Sequence, residues 1–150
     1  MLGSKMMKKL FALMMAVLLA AGMMTTCAGA EEKPAEKLVI GGEEFDIQYV
    51  LFLGTNDKDT NKPVFTEEMS RQKVREILMK HFGGYTIQQA WGGWMDQDTE
   101  YQEYTLVIYL SDTTSDAVHA AADELVETFR QSSILIQTNP TKTEFYSPAN

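Results

Sequence analysis

The chain has 150 residues, with 21 acidic and 13 basic side chains, two histidines and one cysteine, for a formal net charge of −8. That length accommodates one domain of ordinary size. A lone thiol excludes an internal disulfide framework, and an acidic balance with no basic stripe excludes nucleic acid as a partner.

Residues 1–30 have the pattern of a secretory signal peptide: Lys5, Lys8 and Lys9, then an apolar run of 15 residues from Leu10 to Met24, then small residues. The run falls short of the roughly 20 residues a membrane-spanning helix needs. Ala28-Gly29-Ala30 is an A-x-A cleavage site that would start the mature chain at Glu31. A competing lipoprotein reading makes Cys27 the lipidated first residue. Either way the expectation is an extracytoplasmic protein, secreted or anchored to the membrane surface through Cys27, with no free thiol in the folded part. Loss of residues 1–30 removes three lysines and no acids, leaving 10 basic against 21 acidic side chains, a net charge of −11.

Residues 31–44 read as a charged tether carrying a short edge strand or hydrophobic flap at Leu38–Ile40, and residues 45–150 as the folded domain. Phe45 to Leu53 is a strand with two apolar faces: Ile47, Tyr49, Leu51 and Leu53 on one, Val50 and Phe52 on the other. Such a strand belongs inside a sheet. Thr66, followed by Glu67 and Glu68, starts a helix predicted to run to about Phe82, with Met69, Val74, Ile77, Leu78 and Phe82 as its buried stripe and Gly83-Gly84 as its stop.

Tyr85 to about Met95 and Tyr101 to Leu110 form the arms of a hairpin with a polar bend at Asp96–Thr99. A second helix begins after Asp112-Thr113-Thr114 and carries Val118, Ala121, Ala122, Leu125 and Phe129 on one face. The last strand is expected from Ser132 to about Gln137, resuming at Thr143–Tyr146, with Pro140 marking an edge. The order is βαββαβ: a ferredoxin-like α+β fold, a four-stranded antiparallel sheet with two helices on one face. Val50 and Phe52 of the first strand then share the open face with Val107 and Tyr109 of the third. That apolar patch is expected to be covered by a second copy, giving a homodimer, or by the Leu38–Ile40 flap.

Tyr49-Val-Leu-Phe-Leu-Gly54, the acidic helix start at Thr66-Glu67-Glu68, and Phe82-Gly-Gly-Tyr-Thr-Ile-Gln-Gln-Ala-Trp-Gly-Gly-Trp94 resemble a bacterial family of small exported or lipoprotein-type proteins catalogued as a domain of unknown function. The resemblance covers roughly Ile47 to Tyr146 and implies fold and export, without an activity. Gly83 stands where that family commonly has Pro, and Met69 or a neighbour replaces a frequent helix Trp.

Asp57 to Glu68 has the oxygen-ligand spacing of a calcium loop, with acids or amides at positions 1, 3 and 5 and Glu at 12. Lys62 stands where the sharp turn needs Gly, and a strand precedes the loop in place of a helix; the competing reading is a polar connection. Asp96, Asp98 and Glu100 read as a solvated hairpin bend. His119 is spaced to pair with Asp123, and His81 suits a helix C-terminus. No nucleophile frame surrounds either histidine, so no catalytic residue, metal site or cofactor is expected. Trp91 and Trp94, flanking Gly92-Gly93, form either an aromatic platform or a β-bulge with one Trp in the core and the other closing the dimer or sheet edge. The resulting expectation is an acidic binding or interaction module for a small molecule or an envelope protein, dimerising through Val50, Phe52, Trp91, Trp94, Val107 and Tyr109. The alternative is a small enzyme of the dimeric α+β barrel type, with Gln48, Gln88 or Tyr109 converging in an apolar pocket.

Overall fold

A computed structural model describes residues 33–149. The signal segment, the cleavage site after Ala30 and the lipidation candidate Cys27 lie outside the described residues. The elements are β1 (Lys37–Ile40), β2 (Glu43–Gly54), α1 (Glu67–His81), β3 (Thr86–Asp96), β4 (Thr99–Leu110), α2 (Ser115–Thr128) and β5 (Leu135–Thr141).

The core strands lie in the order β5-β2-β4-β3, all antiparallel, which is the ferredoxin-like arrangement. β1 adds a short fifth strand. Asp46 pairs with Lys37 of β1 and also with Thr141 of β5, so these two strands must lie on opposite edges of β2. β1 therefore continues the line of β4, and the Glu36 N–H donates to the Thr113 carbonyl (3.2 Å) where the two meet. Leu38 packs against the helix-side core while Val39 and Ile40 remain exposed. In that position β1 extends the sheet and does not act as a flap over its open face.

The helices are set by their caps and stripes. The Thr66 hydroxyl accepts from the Met69 N–H (3.2 Å), and Glu67 and Glu68 occupy the first turn of α1; Thr114 caps α2 in the same way. All five apolar positions expected for α2 are buried, Phe129 completely. In α1 the stripe begins one residue later than expected. Met69 is exposed, and Ser70 takes the inward position with Val74, Ile77 and Leu78, because i, i+4, i+7, i+8 from Ser70 is the arc that faces the sheet. These helices cover Ile47, Tyr49, Leu51 and Leu53 of β2 and Tyr104, Leu106, Ile108 and Leu110 of β4.

β5 also differs from expectation. It runs unbroken from Leu135 through Pro140 to Thr141, and no strand resumes at Thr143–Tyr146. Pro140 pairs with Ile47 on a terminal strand, where its missing N–H leaves no interior ladder bond unmade.

Candidate functional site: the helix-free face and the projecting hairpin

Side chains alternate across the sheet, so the residues between the core positions of β2 and β4 point away from the helices. Cross-strand partners place Val50 beside Tyr109 and Phe52 beside Val107. The four residues form one block at the centre of that face. Phe52 also pairs with Leu135 of β5, and Val107 with Gln88 of β3, so Leu135, Phe52 and Val107 make an apolar row across three adjacent strands. Val50 and Val107 are only 5% and 6% exposed although no helix lies over them, because the larger Phe52 and Tyr109 beside them exclude solvent laterally. Leu135, at 59% exposed, is the outermost apolar group of the row.

Two polar side chains on this face pair with each other. The Tyr109 hydroxyl donates to Gln88 Oε1 (2.9 Å), so two of the three groups expected to converge in a pocket bond each other instead. Gln48 lies on β2 opposite Asn139 of β5, diagonal to Tyr109, and among the described residues forms no hydrogen bond with that pair. Tyr49, on the helix side, is pushed up to about 12, first by burial and then by the Glu36 carboxylate that accepts from its hydroxyl (3.1 Å). This moves the phenol away from neutral pH, opposite to the tuning an acid–base catalyst needs.

Trp91 and Trp94 sit elsewhere. β2 follows β4 only as far as Thr105, whereas β3 pairs with β4 out to Asp96 and Thr99. The outer part of the hairpin therefore projects past β2 as a two-stranded ribbon. The register is constant over all eleven β3–β4 pairs, so Gly92-Gly93 forms no bulge. Trp91 lies on the helix-side face against Tyr104 (centroids 6.2 Å, edge-on), and Trp94 on the helix-free face stacks on Tyr101 (4.4 Å). Neither enters the core: they are 77% and 49% exposed. Tyr104, the partner of Trp91 on the inner strand, is still buried against the core, but Trp91 stands one strand further out on the edge strand β3, and Trp94 lies on the face that carries no helix. The absent side chain of Gly92 instead makes room for the Thr105 hydroxyl, which a Cβ there would overlap. Trp94 is about 20 Å along the strand direction from the central block.

The Asp57 loop is built around its own carboxylate. Asp57 is 5% exposed; its Oδ1 accepts from the N–H groups of Asp59 (2.8 Å) and Thr60 (3.0 Å), and Oδ2 pairs with Arg130 Nη1 (2.9 Å). The Lys58 N–H donates to the Arg130 carbonyl (3.0 Å), and the Gln131 amide donates to the Asn56 carbonyl, tying the loop to the end of α2. A cation held by Asp57 would have to displace Arg130, so the first calcium position serves as a turn and a loop anchor. The Asp59 N–H, and after it the Thr60 N–H and the Arg130 guanidinium, hold the Asp57 carboxyl below the usual carboxylate range against the opposing effect of burial. A depressed carboxyl adds stability that is fully present above its unfolded value, about pH 4, and is lost as pH falls through the folded value. Thermal melts between about pH 5 and pH 3 are expected to show a drop in Tm that is smaller in Asp57→Asn, which starts from a lower Tm at neutral pH. Equal slopes for the two chains would contradict this role.

His81 Nε2 lies 2.7 Å from Glu124 Oε1, and Lys80 donates to Glu124 Oε2 (2.6 Å), so this cluster joins α1 to α2. His119 is exposed and, among the described residues, forms no ion pair with Asp123. Leu135 and Tyr101 were not singled out in the sequence. The signal for each was its place opposite Phe52 or Trp94, which depends on register.

A family model described as a protein of unknown function, DUF3574, matches residues 48–145. No curated protein matches the chain. Among solved structures, a phage SAM lyase in its apo state is similar over 69% of this chain and 94% of that chain, with 20% identity and a TM-score of 0.50. The periplasmic divalent cation tolerance protein CutA from Archaeoglobus fulgidus is similar over 67% and 86%, with 10% identity and a TM-score of 0.45. A de novo designed protein with a ferredoxin fold covers 70% and 90%, with 16% identity and a TM-score of 0.29. At these identities the likeness concerns the fold alone.

Proposed function

The chain belongs to this family of unknown function, DUF3574, and we propose that it is an extracytoplasmic interaction module that associates with a second copy of itself through the helix-free face of its sheet. The observation that supports this reading is the Leu135–Phe52–Val107 row, apolar across three strands on a face that carries no helix. Gln48, Gln88, Gln137, Thr86 and Thr105 border the block, and the nearby Glu103 carboxylate, seated against Gly54, accepts from the Asn56 N–H (3.0 Å), in a chain whose mature form carries a net charge of −11. Two such acidic molecules meet with less repulsion where the bordering groups are mostly uncharged and the nearby carboxylate is already hydrogen-bonded. Burying Phe52 and Leu135 between two sheets removes apolar surface from water at roughly 25 cal/mol per Å². Export follows from the signal pattern of residues 1–30.

Phe52→Glu places a carboxylate at the centre of this face. The mature chain is expected to lose mass by a factor of about two in sedimentation equilibrium at high micromolar concentration, with its far-UV circular dichroism unchanged. An unaltered mass in a folded Phe52→Glu chain would overturn the reading.

A further inference from the structure

The two outer edges of the sheet are treated differently. β5 presents Pro140 and a run of polar residues, Gln137 to Asn139, which discourage pairing. β3 presents eleven residues whose strand partner, among the described residues, is β4 alone. Between Thr86 and Met95 it contains no charged residue, no proline and no bulge, the devices by which exposed edges are normally blunted. Trp91, Trp94 and Met95 stand 77%, 49% and 62% exposed along it.

The strand is also unevenly supported. Its base, Thr86 to Ala90, is backed by β4 and, beyond β4, by β2. Its outer half, Trp91 to Asp96, is backed by β4 in a ribbon that, among the described residues, is braced at its root, where Thr55 donates to the Tyr104 carbonyl (2.8 Å), Arg71 to the Tyr104 hydroxyl (3.4 Å), and Asn56 to the Glu103 carboxylate (3.0 Å) and the Gln102 carbonyl (3.4 Å). Two-stranded ribbons are marginal in water.

We propose that the free edge of β3 pairs antiparallel with β3 of a second copy, centred near Trp91. Antiparallel pairing about that centre lays the outer half of each strand along the supported base of the other, so each molecule braces its partner's ribbon. The parallel alternative would set ribbon against ribbon and bring the Asp96, Asp98 and Glu100 tips together. In the antiparallel pair the two Asp96 residues are about 34 Å apart, far beyond a Debye length of about 8 Å. An uncharged strand in an acidic chain is the seam along which two copies approach without like charges opposing each other. The two-fold axis stands perpendicular to the sheet, so the core strands join into one eight-stranded sheet with all helices on one side. The edge contact is independent of the face contact proposed above; it enlarges the helix-free surface without covering it.

The test is disulfide trapping in the full chain carrying Cys27→Ala, which leaves no other thiol. Single cysteines are introduced at Gln89, Ala90 and Trp91, near the axis, and at Thr86 and Asn139 as controls away from it. Covalent dimer is expected to form at least ten-fold faster at one or more of the three central positions than at either control, and to do so equally in a Phe52→Glu background. Uniform rates, or fastest trapping at Asn139, would overturn the proposal. Trapping abolished by Phe52→Glu in a folded chain would also overturn it, since the copies would then meet only through the face. Trapping that persists while Phe52→Glu leaves the mass unchanged would support the edge contact and defeat the face contact.

Discussion

Phe129→Ala is expected to destabilise the folded chain by about 3–5 kcal/mol, measured by urea unfolding. Phe129 caps α2 and is completely buried, and its N–H donates to the Leu125 carbonyl (2.9 Å). Its ring meets Phe65 edge-on at 5.5 Å, which joins the end of α2 to the segment leading into α1. The loss therefore combines transfer of an aromatic side chain to water, a cavity between helix and sheet, and a removed aromatic pair. The next residue, Arg130, holds the Asp57 loop through both its guanidinium and its carbonyl, so loosening at position 129 should also raise hydrogen exchange at Lys58. A loss under about 1 kcal/mol would show that the end of α2 is not packed as described.

Leu106→Ala and Val107→Ala, adjacent on β4, are expected to behave differently. Leu106 is completely buried beneath the helices, and its truncation should cost about 2–5 kcal/mol at any protein concentration. Val107 points to the helix-free face, where its loss should cost about 1–2 kcal/mol in dilute solution. If a second copy covers that face, the penalty at Val107 should grow with concentration, because association stabilises the folded state by mass action. Unfolding curves at low and high micromolar concentration separate the two outcomes. A concentration-independent Val107→Ala would count against the covered face.

Some of the architecture could be read from local chemistry. Val118, Ala121, Ala122, Leu125 and Phe129 repeat with the helical period, Thr66 and Thr114 cap, and the alternation in Tyr104 to Leu110 sorts one face from the other, so the βαββαβ order was legible. In α1 the stripe was misplaced by one position because Met69 is apolar and Ser70 is polar, whereas the direction of the sheet decides which of two neighbours turns inward. Ser70 Oγ, buried and without a hydrogen-bond partner among the described residues, shows packing overriding polarity.

The candidate site was half legible. Val50, Phe52, Val107 and Tyr109 do come together, because all four lie on the central strands and share one parity. Of the two readings of the tryptophans, the bulge with one Trp in the core fails, because Trp91 and Trp94 are exposed where the hairpin has outrun β2 and the register is unbroken.

The sequence alone thus determined the elements, their order, the two-faced character of the central strands and the acidity of the chain, since each depends on residues close together along the polypeptide. Tertiary structure decided the seating of β1 in the sheet, the run of β5 through Pro140, the engagement of Asp57 by Arg130, and the projection of an uncharged, unpaired β3 edge. These are consequences of register and strand length between segments as many as 99 residues apart (Glu43 and Lys142, paired at 2.9 Å, mark the extreme), and local propensity carries no record of where one strand stops relative to another.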